Sequence, residues 1–82
     1  MEYHLEARFD KRQNFYGKAI VKEYQNGLKE LYSYGTLVAI ITENNEPRYL
    51  GQWSQTTTRH QKEFFKQNGF EDNIKKYYYE EK

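Results

Sequence analysis

Residues 54–70, Ser-Gln-Thr-Thr-Thr-Arg-His-Gln-Lys-Glu-Phe-Phe-Lys-Gln-Asn-Gly-Phe, spell one short helix together with both of its ends. Thr57 or Thr58 can cap the first turn, because a hydroxyl there accepts from an N–H that has no partner within the helix. Thr58 and Gln61 also have the spacing of a capping box. Asn68 and Gly69 then stop the helix, since glycine tolerates the left-handed backbone that a C-terminal cap requires. Phe70 is placed to fold back onto Phe65, the apolar contact that accompanies such a stop. Everything before this segment reads as β-strand. The expected architecture is therefore α+β, an antiparallel sheet of about five strands with one C-terminal helix (about 57–68) on one face.

The strands follow from periodicity. Tyr3, Leu5, Ala7 and Phe9 alternate with Glu2, His4, Glu6 and Arg8, a period of two that predicts a strand over residues 2–9 with the first set buried. Residues 10–14 are polar and read as a connection. Phe15 opens a second strand, in which Gly17 marks a bulge or a close backbone approach. Gln25-Asn26-Gly27 is the strongest turn signal in the chain. A two-residue loop there would set Glu23 against Glu30. A three-residue loop, with Gly27 left-handed, sets Glu23 against Lys29, Lys22 against Glu30, Val21 against Leu31 and Ile20 against Tyr32. Each such pair contributes roughly 0.2–1 kcal/mol, so the second register is expected.

A third strand runs over 28–34 and ends at Gly35. A fourth runs over 36–42, and its 37–41 core is apolar on both faces, as in a strand covered on each side. Pro47 cannot donate to a ladder, so the fifth strand is expected over 48–53, after it. Residues 1–70 then form one domain. Residues 71–82 are a charged, tyrosine-rich tail that either packs Ile74 and Tyr78 as a helical turn or frays.

Composition limits the function classes. Only 37% of the 82 residues are hydrophobic, yet 18% are aromatic, nine of them tyrosine. Each tyrosine ring can bury on the order of 150–250 Å² while its hydroxyl stays wet, so a polar-looking chain can still fold. Thirteen basic and twelve acidic residues leave a formal charge of +1, which gives no bulk attraction to nucleic acid or anionic membranes. Cysteine is absent, which suits a reducing cytoplasm and removes disulfides and thiolate metal sites. The N-terminus is no secretory signal, and the longest apolar run is too short for a bilayer.

Catalysis finds little support. Ser54 and residues 56–58 lie near His60, but there is no Gly-x-Ser-x-Gly elbow, and the orienting acid would have to be Glu63 or something distant. A helix-capping role for the threonines, with His60 beneath Phe64, explains these residues more simply. His4 and His60 lie on different elements without metal-ligand spacing. The threonines and Arg59 could hold an anion at the helix start, though capping already uses those donors. No catalytic residue, cofactor or metal is therefore expected.

Binding fits better. Arg59, Lys62 and Lys66 recur at steps of three and four and share one helix face, with Glu63 among them. That stripe with abundant aromatics allows nucleic-acid binding, although the net charge gives it no support. The tyrosines exceed what so small a core can hold. Exposed Tyr, Trp and Arg dominate protein–protein hot spots. The expected partner-binding residues are Tyr16, Tyr34, Trp53, Arg59, Lys62, Lys66, Tyr77 and Tyr78. An exposed edge strand also leaves self-pairing open.

Four ordered segments carry a resemblance: Phe15-Tyr16-Gly17-Lys18-Ala19, then residues 31–39 (Leu-Tyr-Ser-Tyr-Gly-Thr-Leu-Val-Ala), then Thr56-Thr57-Thr58-Arg59-His60, then Gln67-Asn68-Gly69-Phe70. Together, over residues 13–70, they resemble a family of small, functionally uncharacterised proteins encoded by phages, plasmids and their bacterial hosts. Asn is common in that family where Gly35 stands, and both residues tolerate the left-handed conformation of a tight turn. The resemblance supplies no reaction. It implies a cytoplasmic accessory protein of a mobile element that contacts something in the host. The resulting expectation is a non-catalytic protein-binding module, in its sharpest form an anti-CRISPR-like inhibitor of a host defence protein. The alternative is a small nucleic-acid-binding regulator, and a His60-dependent hydrolase is the least supported reading.

Overall fold

A computed structural model describes residues 1–9, 15, 17–51, 54–71 and 77. Five strands form one antiparallel sheet in chain order: β1 (Glu2–His4), β2 (Ala19–Glu23), β3 (Lys29–Ser33), β4 (Thr36–Ile41) and β5 (Pro47–Tyr49). The helix α1 (Gln55–Gln67) packs across one face of the sheet, mainly over β3 and β4. The β2–β3 hairpin has the three-residue loop. Glu23 faces Lys29, Lys22 faces Glu30, Val21 faces Leu31 and Ile20 faces Tyr32. Gly27 lies at φ +98°, and Asn26 Oδ1 accepts the Leu28 N–H at 3.0 Å, which fixes the turn from within.

One row of side chains builds the core. Tyr3, Val21, Leu31, Ala39 and Tyr49 stand opposite one another across the five strands. All but the half-buried Tyr3 are buried, and the row packs with Phe64 and Phe65 of the helix. Complete burial of each of those two rings contributes roughly 1.5–3 kcal/mol. The sheet's other face, carrying Ile20, Tyr32, Leu37 and Ile40, is half-buried with no helix of the described residues over it. The apolar run in β4 thus has a different cause from double coverage. Its register shifts so that Leu31 faces Ala39 and Tyr32 faces Leu37. Val38 is left over as a bulge, and both Val38 and Ala39 are buried.

Expected boundaries differ at several points: β2 opens at Ala19 rather than Phe15, whose C=O accepts the Lys18 N–H at 3.0 Å in a turn, and β5 closes at Tyr49. The first strand stops at His4, with one more ladder bond from the Leu5 N–H to the Ala19 C=O at 2.8 Å. Beyond it, the Glu6 C=O and the Phe9 N–H are taken by Gln67 and Glu63 of the helix, at 2.6 and 2.9 Å, so the ladder has no hold on residues 6–9. Pro47 lies inside β5, opposite Ile41; on an edge strand its missing N–H harms no ladder. The helix is capped by Ser54, whose hydroxyl accepts the Thr57 N–H at 3.3 Å, rather than by a threonine. Gln61 is drawn inside instead of completing a capping box, and its amide donates to the Val38 C=O at 2.9 Å. The helix stop is as expected: Gly69 at φ +87°, Phe70 N–H to Phe65 C=O at 2.9 Å, and the Phe70 ring edge-on to Phe65 at 6.5 Å.

Candidate interaction surfaces

His60 is buried at 1% exposure, and its partner is a residue that sequence reasoning passed over. Ser33 Oγ lies 2.8 Å from His60 Nδ1 and 3.0 Å from Thr57 Oγ1. Strand alternation held the signal, because Ser33 follows Leu31 by two and so points at the helix. The Phe15 ring meets His60 edge-on at 4.5 Å. A serine beside a histidine can in principle act as a nucleophile, but Ser33 is itself only 2% exposed. The trio ties β3 to α1 as an internal relay of hydrogen bonds. Among the described residues no three His, Asp or Glu side chains gather to hold a metal ion.

Above this relay sits Tyr34. Ser33 faces Thr36, so Tyr34 and Gly35 form a two-residue turn with φ of 52° and 82°. That geometry suits Asn-Gly, and a tyrosine held there costs roughly 1–2 kcal/mol of backbone strain. The Tyr34 N–H donates to the Lys18 C=O at 2.9 Å, and the ring lies 5.9 Å from His60, tilted by 30°. The side chain remains 58% exposed. A large aromatic is thus presented at the surface from a strained backbone position.

The basic stripe is rearranged by one inward turn. Arg59 and Lys66 are half-buried on a flank of α1 and Lys62 is exposed, but Glu63 does not stand among them on the surface. It is 2% exposed, accepting the Phe9 N–H on Oε1 at 2.9 Å and the Gln67 amide on Oε2 at 2.6 Å. Phe9, expected in the core, is 57% exposed, and Lys66 Nζ lies 5.7 Å from its ring centre.

The remaining tyrosines divide. Tyr77, expected to face a partner, instead lies 5.2 Å from the Phe65 ring and 6.0 Å from Phe70, and its hydroxyl accepts the Glu71 N–H at 3.0 Å. Apolar rings at the helix stop leave a pocket that this ring fills. Tyr24 and Tyr32 share one carboxylate, donating to Glu30 Oε1 at 2.6 and 3.2 Å, and Lys22 Nζ stands 4.7 Å from the Tyr32 ring centre. The bond to Glu30 pushes the Tyr24 pKa up to about 12. Burial, then the Glu30 charge, raises Tyr32; burial, then Glu23, raises Tyr3. Tyr16, Trp53 and Tyr78 lie outside the described residues. An open hollow of about 380 Å³ beside the β4–β5 turn is lined by Glu43, Glu46 and Arg48 among others, with Arg48 already 2.6 Å from Glu46.

No helix of the described residues is long and apolar enough to cross a membrane. No curated protein and no solved structure matches the chain. A family model does match, over residues 3–81, and the chain belongs to that family, described as a family of unknown function (DUF8033).

Proposed function

We propose that the protein is a non-catalytic protein-binding module: a cytoplasmic accessory protein of a phage or other mobile element that acts on a host protein, in the sharpest version as an anti-CRISPR-like inhibitor of host defence. The observation that carries this reading is Tyr34, an exposed ring fixed in a left-handed turn and backed by His60. Ordering such a ring on binding loses little entropy, because the turn and the neighbouring imidazole already restrict it. The phage and plasmid context rests on the four sequence segments alone.

The test is affinity capture from bacterial host lysate with mass spectrometry, using the wild type, Tyr34→Ala and the control Thr36→Ala. A specific partner that Tyr34→Ala loses by about 30-fold, as a hot spot of about 2 kcal/mol requires, supports the reading. Recovery of no specific partner, or equal recovery by all three, overturns it. A second reading, nucleic-acid binding through Arg59, Lys62 and Lys66, is favoured by one observation: the carboxylate that would neutralise their face, Glu63, points into the protein.

A further inference from the structure

We infer that the flank of α1 bearing Arg59, Lys62 and Lys66, together with Phe9 beside it, binds single-stranded nucleic acid. The cations meet phosphates and the Phe9 ring stacks on a base. This rests on the second reading above and uses residues other than Tyr34.

The position of Phe9 is the starting point. Alternation along Tyr3, Leu5 and Ala7 would bury it, yet the ring stands outside at 57% exposure. It is not loose. Its N–H is held at 2.9 Å by a carboxylate that is itself 2% exposed, and that carboxylate's second oxygen is engaged by Gln67. A buried acid is therefore used to keep an aromatic ring outside the core. Lys66 Nζ stands 5.7 Å from the ring centre, and exposed Arg8 precedes it in the chain.

Charge completes the surface. Among the described residues Arg59 and Lys62 form no ion pair. Steps of three and four residues bring neighbouring side chains of the row about 5–6 Å apart, and the row spans about 10 Å of helix. A duplex would offer phosphates to this row but keep its bases stacked inside. A single strand offers phosphates and open base faces together, and a cationic track with an aromatic ring beside it is how proteins take such a strand without reading its sequence.

The test measures fluorescence anisotropy of a labelled oligothymidylate and of a duplex of equal length, at low and at physiological salt, with the full chain. The expected result is tighter binding of the single strand, weakened about tenfold by Phe9→Ala and by Phe9→Leu, which keeps apolar bulk but not the ring. Arg59→Ala with Lys62→Ala should reduce the slope of log affinity against log salt by about 1.4, or about 0.7 for each phosphate no longer neutralised. Circular dichroism confirms that each variant is folded. Equal binding of the duplex, or affinity indifferent to both Phe9 variants, overturns the single-strand proposal while leaving the basic-face reading standing. If neither oligonucleotide binds, both fall, and the exposed ring is left to a protein contact.

Discussion

Replacing Glu63 separates a structural acid from a surface charge. The carboxylate accepts from the Phe9 N–H at 2.9 Å and the Gln67 amide at 2.6 Å, and Gln67 in turn donates to the Glu6 C=O at 2.6 Å. Hydrogen bonds to a charged group contribute roughly 1.5–3 kcal/mol each. Phe9 is exposed and Gln67 half-buried, so water replaces part of what is lost and the lower figure applies. Two such bonds, less the relief of no longer burying a charge, give a net loss of about 2 kcal/mol for Glu63→Ala. Against a total stability of about 4–12 kcal/mol for a chain of this size, that is a large fraction. Tm should fall by roughly 8–16 °C. Glu63→Gln retains an acceptor for Phe9 but sets a donor against Gln67, so it should lose about half as much. Urea denaturation gives the ranking, and hydrogen exchange at the Phe9 amide shows whether residues 6–9 come loose. A loss below about 0.5 kcal/mol for Glu63→Ala, with unchanged protection at Phe9, refutes the reasoning, since a surface carboxylate behaves that way.

Gly27→Ala tests the hairpin. A Cβ there would lie 3.6 Å from the Glu43 C=O, an ordinary contact, so the loss of about 1–2 kcal/mol comes from the φ of +98° alone. A neutral thermal melt would mean that the loop is not left-handed at that residue. Tyr24→Phe tests the phenol–carboxylate pair. The folded chain holds the Tyr24 proton above the ordinary pKa of 10.0, so the stability it contributes is complete below pH 10.0 and drains away as pH rises to about 12. Denaturation midpoints across that window should fall less steeply in the variant, and ultraviolet titration should lose its latest phenol. An unchanged profile would remove Glu30 as the cause.

Much of this fold was legible because local rules and pair energies agree in it. The hairpin register could be chosen from charges alone, since one alternative set two glutamates face to face. The helix stop needed only Asn68, Gly69 and Phe70. What escaped was decided at long range. Nothing near Phe9 announces that Glu63, far along the chain, will take its N–H and stop the strand early. Glu63 itself sits in a run of cations, where a solvated face is the ordinary meaning. Ser33 was recoverable from alternation, but only by pairing it with the one histidine on the helix. Tyr77 looked surplus because the space beside Phe65 and Phe70 exists only once the helix stop has formed. The strain at Tyr34 was half visible: Gly35 marked a tight turn, but a tyrosine in its first position is not what turn chemistry favours.

The sheet's five strands pair only with their neighbours in sequence, so most of the molecule can assemble by short, quickly closed loops. The bonds from Phe9 to Glu63 and from Gln67 to Glu6 reach much farther, joining residues 54 and 61 positions apart. Loop-closure entropy delays such links. During synthesis, moreover, their helical half leaves the ribosome only after the whole meander has emerged. The ledge that carries Phe9 is therefore finished last, and any destabilised variant should surrender it first.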